Sequence, residues 1–250
     1  MITFIASPSY RTGKSIECET TARQELDRRA LELHGFGVDG YKFPESFQEI
    51  REEYCPKVKA ASSCIHHYAY TCLKPLPRQL VKLFVADNKT AADACQSSSD
   101  VVEDRVIPYF KCLNRALPNL NECVKKTAHA LNHINYHVAG INSEKRFAYT
   151  CREYHDLNAC FTGSVRSCCS DQVQEIARAY FDRTTHSTSG FLCRFYSKES
   201  VKDLPPLDLA HGFAESSSGY KHDYQSILSG LVDLYQRANE EVIDAKVQVV

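Results

Sequence analysis

Tryptophan is absent from this chain, methionine occurs once, and glycine accounts for only 10 of its 250 residues. No apolar run reaches the length of a bilayer span, so the sequence predicts no transmembrane helix. The formal net charge of −1 gives no electrostatic reason to expect nucleic acid as a partner. The Cys-x-x-Cys knuckles of zinc sites and the common hydrolase, phosphate-loop and metalloprotease motifs are also missing. We therefore predict no catalytic residues, no cofactor and no metal ion.

Cysteine, in contrast, is abundant. Twelve is an even number and far above what a cytosolic chain usually carries, which indicates a secreted, extracellular protein with up to six disulfides. Residues 1–7 are too short for a signal peptide, and we expect them to be the trimmed end of one or an artificial start. The cysteines predicted to form disulfides are Cys18, Cys55, Cys64, Cys72, Cys95, Cys112, Cys123, Cys151, Cys160, Cys168, Cys169 and Cys193.

The cysteine spacing occurs twice. Eight and then seven residues separate Cys55, Cys64 and Cys72, and the same spacing returns 96 positions later, at Cys151, Cys160 and Cys168. Each copy is followed by an amphipathic segment and by one closing cysteine. This pattern predicts an internal duplication of a helical Cys-x8-Cys-x7-Cys unit, with repeat units at about 50–96 and 146–194.

Helical geometry limits how these cysteines can pair. Residues eight apart on an α-helix lie about 12 Å apart along its axis, whereas a disulfide needs Cα atoms about 4.4–6.8 Å apart. Cys64 therefore cannot pair with Cys72, and each must reach a neighbouring helix. Cys169 departs from the repeat and bonds most simply to Cys18, Cys112 or Cys123, the alternative being a free thiol that joins two chains.

The fold class predicted from these patterns is an all-α, disulfide-rich helical bundle. Helices are expected over residues 16–33, 47–54, 101–117, 120–138 and 222–242, in addition to those of the two repeats. The predicted segments are a disulfide-stapled body (1–196), a linker (197–220) and a C-terminal amphipathic helix (221–250). That last helix either docks on the body, which is the preferred interpretation, or pairs with another chain.

Several histidines have the spacing of possible sites. His129, His133 and His137 recur every four residues on one predicted helix, as metal ligands can. They lie opposite its apolar stripe and beside two lysines, which favours a solvated face over a metal site. His66 and His67 are adjacent, so at most one of them points to the core.

The segment between Cys151 and Cys160 contains His155 followed by Asp156. It resembles the secreted phospholipases, in which such a histidine activates water and the aspartate binds calcium. The cysteine–histidine spacing differs from that family, and no glycine-rich calcium loop precedes it. Because the segment is also the second copy of the repeat, a hydrolase is the less favoured alternative.

The arrangement Tyr-Cys-x8-Cys-x7-Cys, followed by an amphipathic helix and a closing cysteine, resembles a family of arthropod haemolymph glycoproteins. Residues 54–72, 112–123 and 151–193 carry this resemblance. It implies a secreted, helical, non-enzymatic protein and transfers no functional residues. The doubled Cys168-Cys169 and the long tail depart from the family pattern. The only glycosylation sequon begins at Asn88, which we predict to be glycosylated.

The function predicted from the sequence is that of an extracellular binding or carrier protein for a small apolar ligand. Disulfides can hold helices around a cavity without a fully packed core. Aromatic side chains could line that cavity, although core filling is the preferred interpretation of them. The aromatic candidates are Tyr68, Tyr70, Phe110, Tyr180 and Phe181. The second alternative to a carrier, besides a hydrolase, is a structural or interaction protein that forms a homo-oligomer through residues 221–250.

Overall fold

The structure is a computed structural model, and it describes residues 18, 20–86, 89–136, 142–207 and 225–247. Every regular element among these residues is helical and no β-strand occurs among them, which confirms the all-α prediction. A π-helical turn joins α2 to α3 (Ile50–Tyr54) and another joins α6 to α7 (Val102–Val106). The helices are α1 (Thr20–His34), α2 (Phe47–Glu49), α3 (Cys55–Cys72), α4 (Pro75–Ala86), α5 (Lys89–Gln96), α6 (Ser99–Val101), α7 (Ile107–Tyr136), α8 (Ser143–Cys168), α9 (Asp171–Leu192), α10 (Lys198–Val201) and α11 (Ile227–Val247).

Local sequence signals account for two of the helix boundaries. Pro75 is the first residue of α4, where its missing N–H and restricted φ are tolerated. Helix α1 ends at His34, and the next residue, Gly35, has a φ of +70° while donating its N–H to the Leu31 carbonyl at 2.8 Å. This left-handed conformation favours glycine and stops the helix.

Helix α7 corrects one expectation. We predict separate helices over 101–117 and 120–138, but the structure has one helix of 30 residues with Pro118 inside it. A proline within a helix costs about 3 kcal/mol because a hydrogen bond is lost and the ring clashes with the preceding turn. Disulfides on both sides of Pro118, through Cys112 and Cys123, attach α7 to α8 and its end. Tertiary packing therefore overrides the helix-breaking signal.

Ten of the twelve cysteines form five disulfides, and each bond joins different helical segments. The Cα–Cα distances run from 5.4 to 6.0 Å. Cys169 bonds to Cys112, which is one of its three predicted partners. The pairs are Cys18–Cys72, Cys55–Cys95, Cys112–Cys169, Cys123–Cys160 and Cys151–Cys193.

Cys64 and Cys168, which the sequence predicts to be bonded, are free thiols in the structure. Helix α3 packs against α1, but residues 19–34 contain no cysteine, so α1 offers Cys64 no partner. Cys168 lies beside Cys169, and that residue already holds Cys112. The expectation of six disulfides is therefore corrected to five, with two half-buried thiols.

Helix α11 is part of the central core. It packs against α1, α4, α7 and α8. Leu228 and Val232 belong to the larger core cluster, whereas Leu231 and Leu234 belong to a smaller cluster on another side of the helix. The C-terminal helix thus docks on the body, and residues 228–235 are buried within the chain. Residues 208–220 of the expected linker (197–220) lie outside the described residues, as do residues 221–224 of the expected C-terminal segment.

Polar contacts fix the position of α11 between α1 and α7. Asp233 forms an ion pair with Arg23 and accepts a hydrogen bond from the Tyr136 hydroxyl. The side-chain amide of Asn135 donates to the Gly230 carbonyl at 2.9 Å. Because buried polar groups are stable only when they are paired, these contacts favour one register of the helix over its neighbours.

At Gly230, α11 lies close to α7. A Cβ atom at this position would lie 2.9 Å from Cβ of Leu131. We expect Gly230→Ala to lower the free energy of unfolding by about 1–3 kcal/mol, since the two helices must separate. Urea denaturation measures the change. The matched control is Gly163→Ala in α8, where no atom lies within 4 Å, and a gain of about 1 kcal/mol is expected from helix propensity. Equal stabilisation by both variants would contradict the close approach.

Candidate ligand-binding cleft

An open cleft of about 620 Å³ lies between α1, the loop 35–41, α7 and the segment that precedes α11. Its volume is within the range of about 300–1,000 Å³ that is common for small-molecule sites. The lining combines apolar and charged side chains, unlike the purely apolar cavity expected from the sequence. The lining residues are Arg28, Leu31, Glu32, Gly37, Val38, Asp39, Lys125, Ala128, His129, Asn132 and Gln225.

Asn121 holds the loop that forms one wall of the cleft. The Gly37 N–H donates to Oδ1 of Asn121 at 2.8 Å, and Nδ2 of Asn121 donates to the Val38 carbonyl at 3.0 Å. Asn121 is only 6% exposed, so these bonds are shielded from water. Sequence reasoning missed this residue, because nothing in the pattern of α7 shows that an asparagine contacts a loop 83 residues away.

Two sets of ion pairs lie at the rim of the cleft. Lys125 Nζ contacts Asp39 at 2.7 Å, and that hydrogen bond raises the lysine pKa. On the opposite wall Arg28 pairs with Glu25 at 2.6 Å and also with Glu32. The bond from Arg28 is the main cause of a lowered pKa at Glu25. The lining therefore offers a ligand charges of both signs. Arg28 and Lys125 are positive and Glu32 and Asp39 are negative, so the net charge of the lining is close to zero.

Asp27 of α1 holds the back wall. Its carboxylate accepts hydrogen bonds from the backbone N–H groups of Gln225 and Ser226, both at 2.8 Å. It also accepts a bond from the Ser226 hydroxyl. An anion at a helix N-terminus is favoured, because the N–H groups there are unpaired and point outward. The same contacts fix Gln225 at the edge of the cleft.

The structure describes two of the three regularly spaced histidines, both on α7. His129 lies in the wall of the cleft and His133 is half-buried, whereas His137 is outside the described residues. The expected solvated face is therefore partly covered at these two positions. Within the described ranges no group of three or more His, Cys, Asp or Glu side chains is arranged to hold a metal ion.

His155, the histidine of the hydrolase hypothesis, has a structural position. His155 Nε2 lies 3.1 Å from the Tyr196 carbonyl, so the ring connects α8 to the turn that follows α9. Asp156, its partner in the hydrolase hypothesis, is exposed. His66 is half-buried and His67 is exposed, in line with the expectation that at most one points inward.

Tyr68, Tyr70 and Phe110, the aromatic candidates whose side chains the structure describes, do not line the cleft. Phe110 stacks on Phe43 with ring centroids 5.0 Å apart, and Tyr68 is also buried, so both fill the core. Tyr70 is 56% exposed, with the cations of Arg78 and Lys82 over its ring. The side chains of Tyr180 and Phe181 lie outside the described part of the structure.

His34, at the end of α1, is a half-buried titratable group outside the cleft. Its Nε2 is buried without a hydrogen-bond partner, and its ring meets Phe84 edge-on at 4.4 Å. Burial lowers the pKa of His34 from 6.5 to about 4. The unfolded chain therefore binds a proton that the folded chain excludes, and stability is lost as the pH falls from 6.5 towards 4.

We expect this preferential protonation of the unfolded chain to lower the free energy of unfolding by up to about 3 kcal/mol when the pH falls to about 4. Urea denaturation of the wild type and of His34→Leu, between about pH 7 and pH 4, isolates the contribution. The variant should lose less stability on acidification than the wild type. Parallel pH profiles for the two proteins would show that His34 titrates normally.

None of the helices in the described ranges combines the length and the apolar character that crossing a bilayer requires. No family model, curated protein or solved structure gives a significant match to this chain. The geometry and chemistry of the cleft are therefore the basis on which a function is assigned.

Proposed function

We propose that the protein is a secreted, non-enzymatic binding protein that carries a small amphipathic ligand in the cleft. The observation that carries this proposal is the cleft volume of about 620 Å³ between two helices that are held in place. An apolar body would lie over Leu31, Val38 and Ala128. A polar or charged end would meet the rim, where Lys125 and Asp39 already pair.

The rigidity of the walls supports a preformed site. Two disulfides tie α7 to α8 and its end, and Asn121 ties the loop 35–41 to α7. Binding then requires little ordering of the protein, which leaves more of the interaction energy for affinity. The ligand class differs from the purely apolar molecule inferred from composition, because charged groups occupy the rim of the cleft.

The five disulfides support secretion, since such bonds persist in oxidising compartments. Glycosylation at Asn88, which is outside the described residues, belongs to the same proposal. We also propose the internal duplication and a relationship to the haemolymph glycoproteins. Cys55–Cys95 and Cys151–Cys193 support the duplication, because each bond joins the first cysteine of a copy to its closing cysteine, across 40 and 42 residues.

Titration with anilinonaphthalene sulfonate tests the cleft, because this fluorescent probe combines apolar rings with an anionic group. We expect one saturable site, and Val38→Trp should weaken binding at least about tenfold by filling the space. Val101→Trp is the matched control, since Val101 is exposed and distant in sequence from the cleft lining. It should leave the affinity unchanged. Unsaturable binding by the wild type, or equal affinities for the two variants, would contradict the proposal.

A further inference from the structure

Cys168 is a free thiol that lies against the part of α7 bearing a disulfide. Its Sγ is 3.9 Å from the carbonyl oxygen of Arg115, which is three residues, or about one turn, from Cys112 on the same helix. The Arg115 guanidinium also donates to the Cys168 carbonyl at 3.3 Å. The next residue, Cys169, is bonded to Cys112, with Cα atoms 5.5 Å apart. Three sulfur-bearing residues thus meet at the junction of α7 and α8.

The cysteine spacing indicates that Cys168 itself can occupy a bonding position. By that spacing Cys168 corresponds to Cys72, and Cys72 bonds to Cys18 just before α1, the helix that packs on α3. Between α7 and α8, the equivalent bond would join Cys112 to Cys168. Adjacent Cα atoms are only about 3.8 Å apart, so the two candidate positions differ by a small movement of the chain.

We propose that Cys112, Cys168 and Cys169 form a thiol–disulfide exchange centre. The Cys168 thiolate attacks the Cys112 sulfur of the existing bond. A Cys112–Cys168 bond forms, the Cys112–Cys169 bond breaks, and Cys169 leaves as a thiolate that takes up a proton equivalent to the one that Cys168 lost. The number of disulfides is unchanged, so no oxidant or reductant is needed.

The exchange would change the connection between two helices. Cys168 is the last residue of α8, Cys169 is extended with φ −122° and ψ 152°, and α9 begins at Asp171. Moving the bond by one residue changes how the end of α8 is tied to α7 and where the chain can enter α9. Since only the thiolate attacks, the exchange becomes faster as the pH rises.

Thiol mapping tests the exchange in the folded protein. Cys64→Ala leaves one free thiol, which is then blocked with N-ethylmaleimide after incubation at about pH 8 and located by peptide mass spectrometry. We expect the label on both Cys168 and Cys169, and the less labelled of the two should carry no less than about one tenth of it. The reason is that one cysteine disulfide is exchanged for another of the same kind, so neither form is strongly favoured. A label confined to Cys168, or one found on Cys112, would overturn the proposal.

A second variant tests the alternative bond directly. In Cys169→Ala, oxidative refolding should join Cys112 to Cys168 and leave the other four disulfides as they are. In the matched variant Cys168→Ala, the bond between Cys112 and Cys169 should remain. Recovery of Cys112 and Cys168 as two free thiols in Cys169→Ala, with the other bonds formed, would show that Cys168 cannot reach its partner.

Discussion

Asp27→Ala is expected to lower the free energy of unfolding by about 3–4 kcal/mol. The carboxylate of Asp27 is buried and accepts bonds from two backbone N–H groups and one hydroxyl at the start of α11. Its removal leaves those donors without an acceptor and also removes the anion from the helix N-terminus. Because α11 is in the centre of the core, the loss applies to global unfolding, which denaturation in urea measures.

A graded series makes the Asp27 prediction sharper. Asp27→Asn keeps one oxygen acceptor but places an amide N–H against a donor. We therefore expect it to lower the free energy of unfolding by about half as much as Asp27→Ala does. Asp203→Ala, which removes an exposed carboxylate from the turn after α10, serves as the control and should stay within about 0.5 kcal/mol of the wild type. An Asp27→Ala protein as stable as the control would show that this carboxylate does not hold α11.

Removal of the Cys151–Cys193 bond should also lower the free energy of unfolding by a large amount. The bond joins α8 to the end of α9 across 42 residues, and Cys151 is fully buried. In the loop-closure account, a cross-link of this span stabilises the folded chain by about 4 kcal/mol, because it restricts the unfolded ensemble. We expect the double variant Cys151→Ala/Cys193→Ala to lose about that much in denaturation by urea.

The free thiol Cys64 provides the matched control for this double variant. Cys64→Ala removes a half-buried cysteine that holds no bond, and its effect should stay below about 1 kcal/mol. Peptide mapping of the wild type without reduction completes the test. If Cys64 were found in a disulfide, or if its replacement cost as much as the loss of the pair, the disulfide pattern of the structure would be wrong.

Local signals account for the expectations that the structure confirms. Gly35 after α1 and Pro75 at the start of α4 act on the backbone of their own turn, so such helix ends can be predicted from a short stretch of sequence. The absence of a bond between Cys64 and Cys72 follows from helical rise alone, because the two residues are too far apart along the helix. The prediction of separate helices over 101–117 and 120–138 was wrong, because the cost of Pro118 within α7 is offset by disulfides to another helix that no local pattern reveals.

The cleft shows what a one-dimensional pattern cannot predict. Asn121 and Gly37 are distant in sequence, and neither has a spacing that points to the other. Leu31 and Ala128 follow the apolar periodicity of ordinary core residues, although both line the cleft. Tyr68 and Phe110 fill the core, which was the preferred interpretation, whereas Tyr70 is exposed. Periodicity distinguishes inner from outer faces of a helix, but it does not distinguish a packed interior from a cavity wall.

By itself the sequence determined the helical class, the positions of several helix ends and the presence of cross-links between helices, since these follow from backbone geometry and cysteine spacing. Only the tertiary structure decided which cysteines pair, that α11 lies in the core and where the cleft opens. Those features depend on distances between segments remote in the chain, and such distances are set by the packing of the whole molecule.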